Sequence, residues 1–235
     1  MNENLSNRKI LIIDDDPNLC EAVGLILAET GATVYTASGG QSGLRKLYTV
    51  RPDLVIIDVM MPDMNGWDVC KHVRLLTDTP VVMLTTLQDE ESIVQGFSSG
   101  ADDFISKPFS GRVLISRVAA LLRRSKKQLP ERKETAVYKD DYLSINLEDR
   151  RLMVDGEPIK LTSTEFRLLS YLVQNAGRVV TYSQILENVW GQNYQDSTDY
   201  VHVYLSRLRQ KLEKNHRQPR YLLTEHGIGY RFSKQ

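Results

Sequence analysis

Only two cysteines, Cys20 and Cys70, occur in the 235 residues, and neither sits in a CxxC pair or beside a histidine. That spacing gives no signal of a thiolate metal site. Both fall among apolar neighbours in helical patterns, as buried, reduced thiols of a cytosolic protein do. Long hydrophobic runs are missing too. No segment approaches the roughly 18 apolar residues of a membrane span, and the N-terminal MNENLSNRK has no apolar stretch of the kind a secretory signal carries. The expectation is a cytoplasmic protein with no membrane partner. Net charge is absent as well, with 30 Lys and Arg against 30 Asp and Glu. This zero is a cancellation, because residues 1–125 carry 12 basic and 16 acidic residues while 126–235 carry 18 and 14. An acidic module precedes a basic one. The length also suits two domains of about 100 to 150 residues each rather than one. The polar, proline-containing RRSKKQLPERKET at 123–135 reads as the junction after a helix ending near Arg124. The expected organisation is a first domain over 1–124, a linker over 125–136 and a second domain over 137–235.

The first half contains five short apolar runs, ILIIDDD, TVYTA, LVIID, VVMLT and FISKP, separated by helical patterns of about a dozen residues. Those at 10–13, 54–57 and 81–84 are four consecutive residues of buried type, which predicts parallel strands alternating with helices. Everything just past the carboxyl ends of such strands converges on one crevice. Asp14, Asp15, Asp58, Thr85 and Lys107 are thereby gathered. Each is ordinary alone, since a strand-end aspartate commonly caps the next helix. Together, a carboxylate cluster, a hydroxyl and an ammonium are what a divalent metal and a phosphoryl group require. Pro17 favours the first helical position, so one of Asp14, Asp15 and Asp16 caps the helix while two face the crevice. Asp16 is placed at the cap. Leu19, Val23, Ile26 and Leu27 share one face of this helix, and Gly31 stops it. MMPDMNG at 60–66 has the turn chemistry of a tight loop beside Asp58.

These residues resemble the receiver domains of two-component response regulators, over about 10–124. The motifs are Asp14-Asp15, Asp58 in IIDVMMPDMNGW, Thr85 in VVMLTT and Lys107 in ISKPF. The resemblance implies that Asp58 accepts a phosphoryl group from a histidine kinase. It implies that Asp14, Asp15, Asp58 and the Met60 carbonyl hold Mg2+, and that Thr85 and the aromatic Phe104 switch on phosphorylation. The roles are chemically sensible: a carboxylate accepts an incoming anion when a metal offsets the repulsion, and Lys107 adds a point charge to a phosphate oxygen.

In the second half, YLSINLEDRRLMVDGEPIKLT alternates apolar and polar residues around Asp155-Gly156, a strong hairpin signal. From Thr162 the period becomes helical, with Thr162 or Ser163 as cap, Glu165 near the third helical position and Phe166, Leu168, Leu169 and Leu172 buried. A short strand at 179–181, a short helix in SQILENVWG, and a loop near 191–197 follow. A long helix over about 198–213 carries the stripe Val201, Leu205, Leu208, Leu212. That stripe leaves His202, Ser206, Arg207 and Arg209 facing outward. Residues 197–231 hold seven Lys and Arg, three acids and three histidines. They end in YLLTEHGIGYRF, two strands about a glycine turn. One helix in the major groove with a hairpin on the backbone is a known DNA-binding layout.

Residues 137–233, through LTSTEFRLLSYLVQNAG, VVTYSQILENVWG, VYLSRLRQKL and TEHGIGYRF, resemble the winged-helix effector domain of the OmpR/PhoB response regulators. VWG, LRQKLE and TEHGIGYRF look most like the KdpE branch. By position in the recognition helix, Arg207 is the leading base-contact candidate, followed by His202, Tyr204, Ser206 and Arg209. Arg220 is a phosphate candidate and His226 lies on the hairpin. Trp190 belongs to the core, with its indole NH near a phosphate.

The resemblance also implies receivers that pair through charges on the fourth helix, fifth strand and fifth helix. Here Ile93 and Val113 replace charged residues of that surface, while Asp102, Asp103 and Arg117 keep the charged pattern. Thr86 stands where a small alanine is common, adding a methyl and a hydroxyl beside the acceptor. The expected fold is a five-stranded parallel, doubly wound flavodoxin-like receiver followed by an α+β winged helix. The expected function is phosphorylation-controlled DNA binding as a homodimer on tandem half-sites of double-stranded DNA, with RNA polymerase a further candidate partner. A constitutive DNA-binding dimer is the alternative that Ile93 and Val113 favour. A metal-dependent phosphohydrolase is the other, and its usual acid two residues beyond the nucleophile is Met60 here. The chain is not expected to be an enzyme.

Overall fold

The computed structural model describes residues 4–86, 99–126, 137–191, 194 and 198–235, with the backbone alone at 124–126 and 137. The chain divides into two compact units, 1–127 and 128–235.

In the first unit the apolar runs become β1 (Lys9–Ile13), β2 (Thr33–Ala37), β3 (Leu54–Asp58), β4 (Val81–Thr85) and β5 (Asp103–Ser106). All pair in parallel, in the order β2-β1-β3-β4-β5. This is the flavodoxin-like arrangement, whose ligand crevice lies beside β1 and β3 where the strand order reverses. Every residue of β3 and β4 is buried, as expected of strands covered on both faces. Each fully buried Ile, Leu or Val in them contributes about 1.5–3 kcal/mol relative to exposure. On one face of the sheet Ile10, Ile12, Leu54, Ile56, Val82 and Leu84 meet Val23, Leu27, Leu114 and Val118.

Helix α1 (Pro17–Ala28) begins at Asp16, whose side chain accepts from the Asn18 amide, with Pro17 next. Gly31 then adopts φ 87°, the left-handed stop a glycine supplies. Helix α2 (Gly40–Val50) follows β2, and α3 (Gly66–Leu76) is capped by Asn65. The last receiver helix, Gly111–Lys126, continues past Arg124, because no glycine or proline interrupts it before Pro130.

The second unit opens with an antiparallel sheet of Val137–Lys139, Leu143–Asn146, Arg151–Val154 and Glu157–Pro158. Asp155 and Gly156 join the last two strands with φ 51° and 81°, the paired positive angles of a tight hairpin turn. Helices Ser163–Gln174, Tyr182–Val189 and Thr198–Leu212 form the middle. Leu222–Glu225 and Gly229–Phe232 form the terminal hairpin, which is joined by Val180–Thr181 into a three-stranded sheet. The Asp140 carboxylate ties the two sheets together by accepting from the Tyr138 and Tyr221 hydroxyls at 2.7 and 2.9 Å. Burial would raise its pKa, but amide and phenol donors outweigh burial and hold it at about 2. Among the described residues no helix is long and apolar enough to cross a membrane.

Candidate functional site

The carboxyl ends of β1 and β3 bring Asp14 and Asp58 together, with Asp15 on the β1–α1 turn. Carboxylate oxygens of the three lie within 4.8 Å of one another. Asp14 and Asp58 are buried and Asp15 is exposed. Lys107, just past β5, places Nζ 2.5 Å from Asp58 Oδ1 and 3.3 Å from Asp14 Oδ2. The other Asp58 oxygen accepts from the Met60 amide at 3.0 Å. The Met60 side chain is exposed and apolar, so no acid stands at that position.

Burial, with the neighbouring Asp58 charge, pushes the Asp14 carboxyl up despite the Asp16 amide and Lys107. The Lys107 ammonium is raised too: burial would lower it, but hydrogen bonds and charge from Asp58 and Asp14 outweigh burial. Three clustered carboxylates are an oxygen-only donor set of the kind Mg2+ takes, and a divalent cation would relieve the Asp58 repulsion that adds to burial in raising Asp14.

Thr85 is buried at the end of β4, and its carbonyl accepts from the Lys107 amide at 2.7 Å. Thr86, the next residue, is exposed. Phe104 is buried against Trp67, with ring centroids 6.0 Å apart. Gly66 closes the 60–66 loop. A Cβ there would lie 2.1 Å from the Asp58 carbonyl oxygen, and its amide donates to the Val59 carbonyl at 2.9 Å.

The surface expected to carry charge for receiver pairing differs. Asp102 is buried, paired with Arg74, and accepts from the Val81 amide at 2.9 Å. Asp103 is fully buried and pairs with Arg117 at 2.8 Å. These acids serve their own chain, because a carboxylate at a buried strand edge needs a partner within reach. Val113 is 42% exposed on the last receiver helix. Ile93 lies outside the described residues.

In the second unit Arg207 is held within its own chain. Its side chain is 13% exposed and its Nη2 lies 3.2 Å from Glu165 Oε1. Lys211 meets the other oxygen at 2.7 Å. Glu165 is fully buried and closes a capping box with Thr162. Burial would raise its carboxyl, but Arg207 and Lys211 hold it below the ordinary range. A buried acid thus holds the Arg207 guanidinium against the first helix of this unit. Arg209 is likewise not free: it donates to the Leu222 carbonyl at 2.9 Å and to Thr224 Oγ1 at 2.7 Å, anchoring the helix to the hairpin. Tyr204 is fully buried against Trp190, with centroids 5.2 Å apart. Tyrosine carries an apolar body, so Tyr200 and Tyr204 widen the inward stripe that aliphatic residues alone suggested. The indole Nε1 of Trp190 is itself buried.

The helix exposes His202, Ser206 and Gln210, with Val203 half-buried beside them. Gln210 was missed, although steps of four from His202 reach it. His202 also contacts the Tyr230 hydroxyl through Nδ1 at 2.8 Å and packs edge-on to Tyr182. Arg220 and His226 are exposed, and Ile228 projects at the hairpin turn.

A receiver fold with this strand-end cluster, followed by a winged-helix unit, defines a response regulator of two-component transcription control. Comparison with known proteins agrees. The response regulator receiver domain matches residues 10–119, and the family "Transcriptional regulatory protein, C terminal" matches 156–232. The transcriptional regulatory protein KdpE of Mycobacterium tuberculosis is 38% identical over 223 residues, covering 95% of this chain and 98% of its own. The DNA-binding response regulator MtrA of Mycolicibacterium smegmatis is 38% identical over 224 residues, covering 95% and 96%. Among solved structures, DrrB of Thermotoga maritima, an OmpR/PhoB homologue, is 33% identical with a TM-score of 0.50, covering 96% and 99%. The chain belongs to the OmpR/PhoB family of response regulators. The equal identities to KdpE and MtrA extend the likeness across several branches.

Proposed function

We propose that Asp58 is the phosphoryl acceptor of a cognate histidine kinase and that its phosphorylation governs dimerisation and promoter binding. The observation that carries this reading is the buried Asp58 carboxylate, held between Lys107 Nζ and the Met60 amide beside two further acids. An Asp58 oxygen attacks the phosphorus of a phosphohistidine. The P–N bond breaks, its electron pair returns to the imidazole, and an acyl phosphate forms. Lys107 is placed to follow a phosphate oxygen as the acceptor's own charge is consumed. Asp14, Asp15, Asp58 and the Met60 carbonyl would hold Mg2+, which supplies charge neutralisation for the transferring group. The added charge then biases Thr85 and Phe104 between two arrangements, which is a population shift and needs differential contacts in the two states. Receivers pair as a homodimer on the surface that carries Val113. The effector units bind tandem half-sites in double-stranded DNA, and RNA polymerase is a further candidate partner. The cytoplasm, where kinase output and promoter meet, is the proposed location.

With Mg2+ and acetyl phosphate the wild type is expected to gain one phosphoryl mass and Asp58→Asn none. Equal labelling of the variant in intact-mass measurements would place the acceptor elsewhere. For DNA, the exposure of His202, Ser206 and Gln210 supports a role in base contact, and that of Arg220 and His226 a role in backbone contact. His202→Ala should cost about 1–3 kcal/mol on the preferred site and relax one position. Arg220→Ala should weaken all sequences alike and flatten the salt dependence by about one unit of slope. Fluorescence anisotropy on specific and scrambled duplexes at several salt concentrations separates the two. Equal losses on both duplexes for His202→Ala would remove it from base readout.

A further inference from the structure

We propose that Asp63 is a positioning residue for the metal side of the acceptor site, clamping the loop that carries the Met60 carbonyl onto the start of α2. This rests on the reading of Asp58 and Met60 given above.

The amino ends of helices in this chain are satisfied locally wherever a side-chain cap is described. Asp16 caps α1, Asn65 caps α3, and Thr162 and Thr181 cap their helices in the second unit. Helix α2 departs from this pattern. Its N-cap is Gly39, which has no side chain to offer. The Asp63 carboxylate arrives instead from the loop after β3, accepting from the Gly40 amide through Oδ1 and the Gln41 amide through Oδ2, each at 3.1 Å. A side chain at position 39 would obstruct it, since a Cβ there would lie 2.9 Å from the Asp63 carboxyl atoms. The missing cap and the incoming carboxylate are one arrangement.

A helix that needed only a cap would be served by its own residue 39. Taking the cap from the loop ties two segments together. The loop is already fixed at its ends, by the Met60 amide on Asp58 Oδ2 at 3.0 Å and by the Gly66 amide on the Val59 carbonyl at 2.9 Å. Asp63 lies between these points and fixes the middle. The helix amides and the positive end of the helix favour the ionised carboxylate, so the clamp is present at neutral pH. Holding the loop restricts the Met60 carbonyl to one orientation before any cation arrives, which lowers the ordering cost of binding.

The test is a Mg2+ titration of the full chain, read by Trp67 fluorescence and by calorimetry, for wild type, Asp63→Ala and Asp63→Asn. Asp63→Ala is expected to raise the half-saturating Mg2+ concentration about tenfold, the low end for loss of an outer support of a metal site. Asp63→Asn should recover part of the loss, because its amide oxygen still accepts one hydrogen bond. A purely structural cap would lower the unfolding temperature of the receiver and leave the Mg2+ midpoint in place, and that result overturns the proposal. A wild type without any Mg2+ response would overturn the acceptor reading and this inference with it. A wild type that titrates beside an equally titrating Asp63→Ala overturns this inference alone.

Discussion

Glu165→Ala is expected to lower the stability of the DNA-binding unit by about 3–5 kcal/mol, the usual cost of removing one partner from a buried charge cluster. The acid is fully buried and holds both Arg207 and Lys211. Removing it leaves a guanidinium with a buried, already unpartnered Nη1 and no counter-charge. The substitution also removes the Glu165 half of the capping box, leaving the Thr162 amide without its carboxylate acceptor. Urea unfolding should show the transition of the second unit move to lower denaturant while that of the receiver stays in place. Replacing Glu165 and Arg207 together by leucine should recover much of the loss, since well-packed apolar residues often match a buried ion pair. An unchanged midpoint in Glu165→Ala would mean that the cluster contributes no net stability and that Arg207 is available to DNA after all.

Gly66→Ala is expected to remove phosphoryl labelling and to destabilise the receiver by more than the roughly 1–3 kcal/mol of ordinary overpacking. The added methyl would meet backbone atoms, the Asp58 carbonyl oxygen at 2.1 Å and Val59 Cα at 2.8 Å. No rotamer change relieves such contacts, so β3 or the start of α3 must shift. Asp58 stands at that junction, and movement of even a fraction of an ångström alters its position relative to Lys107. Thermal unfolding together with intact mass after acetyl phosphate treatment measures both effects. Wild-type stability with wild-type labelling would show that the loop yields without disturbing the acceptor.

The acceptor cluster was legible in the linear chain because a parallel sheet leaves little freedom. Buried runs fix the strands, strands fix where their carboxyl ends lie, and Asp14, Asp58 and Lys107 follow their runs directly. The cap at Asp16, the stop at Gly31 and the Asp155-Gly156 turn were legible for a related reason, since each depends on a few adjacent residues and local backbone preference. Arg207, Arg209 and Tyr204 were not. The two arginines lie off the aliphatic stripe while Tyr204, three residues past Val201, lies along it, and their final direction depends on Glu165 from another helix, on the Leu222 carbonyl of the hairpin and on the Trp190 ring. Asp102 and Asp103 show the same limit: the sequence presents them as charges available to a second molecule, and packing places Arg74 and Arg117 of the same chain beside them. The sequence by itself determined the strands, their order of chemistry and the local caps, which are set by short-range sterics and burial. Only the tertiary structure decided which charged side chains remain free to meet a partner, because a buried charge takes whichever counter-charge folding brings within reach.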